Sequence, residues 1–483
     1  MKLTAVFVLI LTAMLLPSDA AFSQASAGAA EFPVSDDGLS NPEFIMRAGA
    51  RVDSALARFF RGEYDAAEEF FDDSLRADNP PKVLAQFHRD FLAKAGAAGK
   101  QLDEELRVKE GFLWFVKTHE TWRKMPKTGK MLSGKWEFQI AVTADTMIDG
   151  FYARELKEPK KAPEYRFPDY IALDSVRELR ADFGTGIWKM SGSINLPVHY
   201  GKYPAVLLLH DSGPLDRDGT YNACKPFRDL AWALAARGFA VLRYDKRTLT
   251  HLRKIDSLNL KITPKQEVID DALEALKFLH SRSDIRHDNI VILGMGLGGM
   301  LAPKIAALDT SVAGIVMLNA PARPLEDALF SHIKYVLGLD TATPDRSARQ
   351  IKNLERQVKN VKSPTLTIAT PDSLLPLGTP AAYWLELRGY NPPKTAAMLR
   401  KPALVLHCGR SYQVENDDFS LWQQGLNPSS ESARLATFKY YEDLNQMGVV
   451  GEGRSAPREL WRGGNVDKEL VDDVTAWLRQ IVR

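Results

Sequence analysis

The chain has 483 residues, 45% of them hydrophobic and 26% charged, and its 63 Lys and Arg stand against 61 Asp and Glu for a formal charge of +2. At roughly 150 residues per domain this suffices for two or three domains with sizeable cores, and the near-neutral balance excludes a disordered chain and a strongly basic nucleic-acid binder. Only Cys224 and Cys408 are present, which excludes a disulfide framework and multi-cysteine zinc patterns and leaves a single bridge open.

At the N-terminus Lys2 precedes an apolar run from Ala5 to Leu16 that is too short to span a bilayer and is followed by Pro17 and small residues. Ser18-Asp-Ala20 and Ser23-Gln-Ala25 offer small-x-small cleavage sites. Residues 1–25 are therefore expected to be a signal peptide and the protein to be exported, periplasmic or extracellular; an uncleaved anchor is the competing reading. No later segment is apolar for long enough to cross a membrane.

Residues 41–156 read as an α+β domain. Asn41-Pro42 is a helix start, and Phe44, Val52, Leu56, Phe59 and Phe60 follow a helical stripe. Tyr64–Leu75 and Pro81–Ala95 repeat the pattern. Beyond Gly111 the period becomes two, most clearly at Trp136, Phe138, Ile140 and Val142. Helices followed by an antiparallel sheet make this layout, which resembles the nuclear-transport-factor-like domains that precede hydrolase domains in exported bacterial proteins. A spacer or dimerisation module and a ligand pocket are both open readings of it. The charged, proline-rich segment 157–167 is expected to be a linker.

From 168 to 483 strands and helices alternate. Pro204–His210, Ala240–Tyr244, Asn289–Met295, Val312–Asn319, Ala403–His407 and Ala436–Tyr441 are apolar strands; Lys225–Arg237 and Val466–Ile481 are helices, and Thr263-Pro-Lys-Gln266 is a capping box that opens another. This predicts an α/β fold, a doubly wound, mostly parallel sheet covered on both faces. Ile290 to Met300 is a strand, a tight glycine turn and a helix, the architecture of a nucleophile elbow. His210-Asp-Ser-Gly-Pro214 with Asp216-Arg-Asp218, Lys225 to Ala231, Leu242 to Thr248, and Leu375 to Gly378 with Tyr383-Trp384 complete a resemblance to α/β-hydrolases of the acyl-esterase and serine-aminopeptidase kind. That resemblance implies a helical lid, inserted over about 322–400.

Its departures bear on function. The resemblance places Gly296 at the nucleophile position of Gly294-Met-Gly-Leu-Gly-Gly299, Ser411 at the acid and Gln446 at the histidine, so all three triad positions are substituted. Asp211 stands in the oxyanion loop where the family has glycine, and a carboxylate there is expected to repel a developing oxyanion. Independently of any alignment, the chain has no histidine after His407 and no G-x-S-x-G. A glycine retained at a sparsely allowed elbow position fits a remnant turn.

Substitute groups are few. Cys408 beside His407 reads as core, because strand neighbours point to opposite faces. Ser212 has His210 near it in sequence. Asp417 and Asp418 could replace an acid but read as solvated turn or capping residues, and His280 and His287 read as surface residues. His332 stands in a lid helix. The basic amphipathic stretch Ser347–Lys362, with Ile351, Leu354, Val358 and Val361 at helical spacing, reads as a cap over the pocket rather than a membrane helix. No metal or cofactor motif is present.

The expectation is a non-catalytic homologue of acyl esterases, with a retained pocket lined by Asp211, Met295, Leu297 and Tyr412 for a small acyl, ester or peptide-like ligand or a partner protein. Neither metal, cofactor nor nucleic acid is expected. The competing reading is an active carboxylic-ester or peptide hydrolase that uses substitute residues.

Overall fold

The structure, a computed structural model, describes residues 39, 41–109, 112–124, 131–156, 163–339, 344–426 and 435–482. The expected leader 1–25 and residues 157–162 of the expected linker lie outside them. The described residues divide into two compact units, one running to residue 156 and the other beginning at 163.

In the first unit, helix Pro42–Arg61 opens on Asn41, whose side-chain oxygen accepts from the Glu43 amide at 2.9 Å, and buries Phe44, Val52, Leu56 and Phe59. The helix expected over 64–75 is two short ones, Tyr64–Glu68 and Asp73–Asp78. Between them Phe71 leaves the helical path to bridge Ile148, and Asp72 caps the second helix through the Leu75 amide at 2.7 Å. After helix Pro81–Ala95 come four antiparallel strands in sequence order, β1 (Ala97–Lys109), β2 (Phe112–Lys124), β3 (Met131–Val142) and β4 (Ile148–Glu155). The strand β1 escaped the periodicity because it is an edge strand: Asp103, Glu104, Glu105 and Arg107 are exposed, as edge strands commonly are charged.

The second unit is built on eight strands, β5 (Val176–Arg180), β6 (Gly192–Pro197), β7 (Tyr203–Leu209), β8 (Ala240–Tyr244), β9 (Ile285–Met295), β10 (Val312–Leu318), β11 (Ala403–Cys408) and β12 (Ala436–Tyr441). They lie in the order β12-β11-β10-β9-β7-β8-β6-β5, parallel except where β6 meets β8 and β5 meets β6. Alternate residues feed two cores. Ala205, Leu207 and Leu209 of β7 pack with helices Asp270–His280 and Leu297–Leu308, whereas Val206 and Leu208 pack with Pro226–Ala235 and Lys468–Ile481. From β7 the chain passes to β8 on one side and returns to β9 on the other. The sheet therefore reverses its winding between β7 and β9, and a crevice opens at their carboxyl ends.

Helices Leu325–Leu337, Pro344–Lys362, Ala381–Leu387 and Pro392–Leu399 form the lid between β10 and β11. Leu354, Val358 and Val361 of the basic helix are buried, so its apolar stripe serves the lid's own packing. Asp418 is not the solvated residue that the sequence implied. It is fully buried, accepting the Ala322 amide at 2.9 Å and the Arg323 guanidinium at 3.0 Å, and so anchors the entry to the lid. Cys224 and Cys408 are both free.

Behind the crevice, buried Arg243 of β8 binds Glu178 of β5 at 2.7 Å and Asp218 in the loop after β7. Replacing Arg243 by Met leaves Glu178 without its cation, while Asp218 keeps Lys225 at 3.0 Å. It is expected to lower unfolding stability in urea by about 3 kcal/mol, the lower end for breaking a buried pair from one side; a loss below about 1 kcal/mol would mean that water satisfies Glu178 and Lys225 suffices for Asp218.

Candidate active site

The elbow forms where β9 ends. Gly296 has φ 53° and ψ −119°, a region that side chains rarely enter, and the next residue begins the helix Leu297–Leu308. Its amide donates to the Leu318 carbonyl at 3.0 Å, tying the turn to β10. A Cβ at Gly296 would fall 2.1 Å from Asp211 Oδ1. The Asp211 carboxylate, carried to the crevice by β7, thus fills the space that a side chain at the elbow would need.

Its seat is made of amides. Asp211 Oδ1 accepts from the Leu297 N–H at 2.8 Å and from its neighbour Ser212 at 2.7 Å. The first of these is an unsatisfied donor at a helix N-terminus, where a carboxylate is favoured. Both bonds fall on Oδ1, and Oδ2 has no protein partner among the described residues. Burial raises the Asp211 carboxyl above the usual carboxylate range, opposed by the two amides and then by the charge of Lys246.

A second buried group fixes the loop. Lys246 Nζ donates to the Asp211 carbonyl at 2.7 Å and to Glu267 Oε1 at 2.8 Å, and the Gly213 amide also donates to that oxygen at 3.1 Å. Tyr383 of the lid donates its hydroxyl to Glu267 Oε2 at 2.9 Å. Glu267 lies in a π-helical turn, Lys265–Ile269, directly after the capping box, in which Gln266 accepts from the Thr263 amide at 2.9 Å. Floor, oxyanion loop and lid are thereby joined through one carboxylate.

Above this lies a cavity of about 70 Å³ with a mostly apolar wall, whose polar groups include Asp211, Ser212, Glu267, His332, Tyr383 and Gln413. Buried His332 and Trp384 also border it, and neither His332 Nε2 nor Trp384 Nε1 has a hydrogen-bond partner. Burial pushes the His332 imidazole down to about 4, so it is neutral at pH 7. Unsatisfied buried donors beside a cavity call for an acceptor on whatever enters it. Among the described residues, no group of three or more His, Cys, Asp or Glu could hold a metal, and no helix is long and apolar enough to cross a membrane.

Of the four residues expected to line a pocket, Asp211 and Leu297 border the cavity, and Met295 and Tyr412 do not. Met295 follows Val291 and Leu293 on the face of β9 turned to the opposite core. Tyr412 is buried behind the wall, its ring 5.5 Å from that of His332, while the next residues Gln413 and Val414 reach the cavity. Gly296 borders the cavity. Ser411 Oγ accepts from the Val414 amide at 3.1 Å, and buried Gln446 has both side-chain amide atoms unpartnered, its backbone carbonyl accepting from the Asn319 side chain at 3.0 Å.

The other substitutes separate cleanly. The ring of His210 is buried between Phe227 and Tyr244 and its Nε2 donates to the Asp216 carbonyl at 2.8 Å, so it does not serve Ser212. Burial pushes the Cys408 thiol up to about 12, and His407 packs on Phe419 and Tyr440, away from it. Asp417 is exposed, and His280 and His287 lie together near the surface. Lys246, Glu267 and the partnerless His332 were missed as site residues. The signals available were the capping box just before Glu267 and the placement of His332 in the lid.

No family model matches this chain. It is 36% identical over 315 residues to Esterase EstD of Thermotoga maritima, a match covering 65% of this chain and 70% of that protein. Solved structures that resemble it include an acylaminoacyl peptidase of Pyrococcus horikoshii, with 13% identity, TM-score 0.43 and coverage of 79% of this chain and 56% of that one. A Pyrococcus furiosus esterase gives 13% identity, TM-score 0.40 and coverage of 68% and 100%. The chain belongs to the α/β-hydrolase family. The kinship with an esterase corrects the expectation of a non-catalytic homologue. The physical reason is that the fold brings Asp211, Ser212, Glu267 and His332 to one cavity from segments far apart in sequence.

The contact between Gly296 and Asp211 is testable on its own. Gly296→Ser should lower stability by about 1–3 kcal/mol, through overpacking against the carboxylate. Adding Asp211→Gly should recover most of that loss in a double-mutant cycle read by thermal unfolding; additive losses would show that the two sites do not touch.

Proposed function

We propose that this chain is a carboxylic-ester hydrolase for small acyl esters in which Asp211 acts as general base on water, without a nucleophile at the elbow. The observation that carries this reading is the seat of the Asp211 carboxylate, at the elbow, with Oδ2 left to the cavity. Kinship with a curated esterase supports the reaction class. Gly296, Ser411 and Gln446 stand at the triad positions implied by the family resemblance, so the work falls to other groups.

In the proposed reaction Asp211 Oδ2 takes a proton from water while the water oxygen bonds to the acyl carbon and the carbonyl π pair moves to its oxygen. His332, neutral and with a free Nε2, is suited as the Nε2–H tautomer to donate to that oxygen. Collapse reforms the carbonyl and expels the alcohol oxygen, which takes the proton from Asp211 and leaves a carboxylic acid and an alcohol. An ester suits this site better than a peptide, because an alkoxide can depart before it is protonated whereas an amine must be protonated first, and the His332 imidazole, neutral at pH 7, is a poor acid for that step. We place the protein outside the cytoplasm, on the leader pattern in 1–25.

The test is hydrolysis of a short-chain fluorogenic ester panel by the repurified protein. Turnover should rise with pH through the raised pKa of Asp211 and then level, since the base must be ionised. Asp211→Asn should lower kcat/KM by about 100-fold or more and remove that limb. A serine-directed fluorophosphonate should leave the enzyme active. Absence of turnover in the wild type, or a profile unchanged in Asp211→Asn, would overturn the proposal.

A further inference from the structure

We infer that Trp384 is the wall that limits acyl-chain length, dividing the cavity at the elbow from a larger one under the lid; this rests on the ester-hydrolase reading above. The indole borders both cavities and is buried. On one side is the space of about 70 Å³ that holds Asp211, and on the other a space of about 550 Å³ bordered by Ala322, Pro324, Val361, Leu387 and Tyr390. The first has room for about five water-sized groups, at roughly 10–15 Å³ of such space for each. A long acyl chain fits only if it passes into the second.

The wall is held in place. Trp384 lies in the short helix Ala381–Leu387 beside Tyr383, whose ring meets it edge-on at 5.8 Å and whose hydroxyl is fastened to Glu267 on the cavity floor. Of the charged residues at the outer cavity, Arg388 donates to the carbonyls of Val361 and Ser363 at 3.1 and 3.0 Å and Lys362 pairs with Asp327, while burial raises the Glu326 carboxyl and so favours its neutral form. Apart from Glu326 and Asn391, what faces an entering chain is apolar, so the outer cavity is suited to methylene groups. Trp384 Nε1, unpartnered, is the one polar atom that the wall itself carries. It offers a donor to an acyl carbonyl or ester oxygen that stops short of the indole.

The test uses a ladder of straight-chain methyl ketones from four to twelve carbons, which mimic the acyl group and cannot be hydrolysed, titrated calorimetrically into the full chain. With the wild type, affinity should rise over the shortest members and then stop rising. With Trp384→Ala it should go on rising by about fourfold per added carbon, the value of a buried methylene, for several carbons more. The kcat/KM optimum across para-nitrophenyl esters should move to longer chains in parallel. Trp384→Phe, a milder change that preserves lid packing, should move the cut-off by less and serves if the alanine variant does not fold. The same cut-off in wild type and variants, or no binding of any ketone, overturns the inference. A ketone cut-off that moves while no ester is turned over leaves the wall standing and removes the hydrolase reading instead.

Discussion

The carboxyl edge of the eight-stranded sheet is organised around one hydrogen bond, from the Leu297 amide to Asp211 Oδ1. It crosses the point where the winding reverses, joining the end of β7 to the start of the helix after β9. Parallel strands present their carboxyl ends together, so any such sheet has a crevice at its switch point. Here the crevice is closed from below by the protein's own anion. A helix N-terminus leaves several amides without partners, and Asp211 takes the one that lies at the crevice. With that amide engaged, a side chain at residue 296 has no room, and glycine is the residue that both fits and tolerates φ 53°.

The same carboxylate needs support, because the loop bearing it has no regular structure. Lys246 supplies it by holding the Asp211 carbonyl and Glu267 at once, and Glu267 passes the constraint to Gly213 and to the lid through Tyr383. A buried pair of this kind contributes little net stability, since desolvation offsets most of the attraction. Its value is positional. Four segments that share no sequence neighbourhood are set to one another by hydrogen bonds to a single acid, and a cavity with fixed walls follows.

Much of the second unit was legible in the sequence for a simple physical reason: strands buried on both faces are continuous apolar runs, and the glycines at 294, 296, 298 and 299 mark a close approach of backbone. In the first unit, Trp136 to Val142 showed its period of two, whereas β1 was hidden because an edge strand can be charged throughout. The elbow turn was legible in the sequence, whereas its contact with the loop after β7 was not. Asp211 was seen as a charge hostile to an oxyanion and Gly296 as a vacancy; that each is the condition for the other depends on β7 and β9 being neighbours, which spacing does not show. Met295 was placed by adjacency to the elbow, although the strand period sends it to the opposite core. Glu267 and His332 reach the cavity from a helix start and a lid, which the sequence marks without showing that the two face one space.

A buried carboxyl with a raised pKa also has a thermodynamic meaning. The folded state binds its proton more tightly than the unfolded chain does, so this group favours folding most where it is protonated. Its contribution is lost as pH rises from the unfolded pKa through the folded one. The proposed reaction needs the other form: only the ionised Asp211 can take a proton from water. Stability and activity therefore run in opposite directions through the titration of one residue, a conflict that active sites commonly hold. The two amides on Oδ1 and the cation of Lys246 moderate it, each favouring the charged form and drawing the pKa back down. They leave a carboxylate that is a stronger base than an ordinary one, the property that general-base catalysis by an acid side chain draws on.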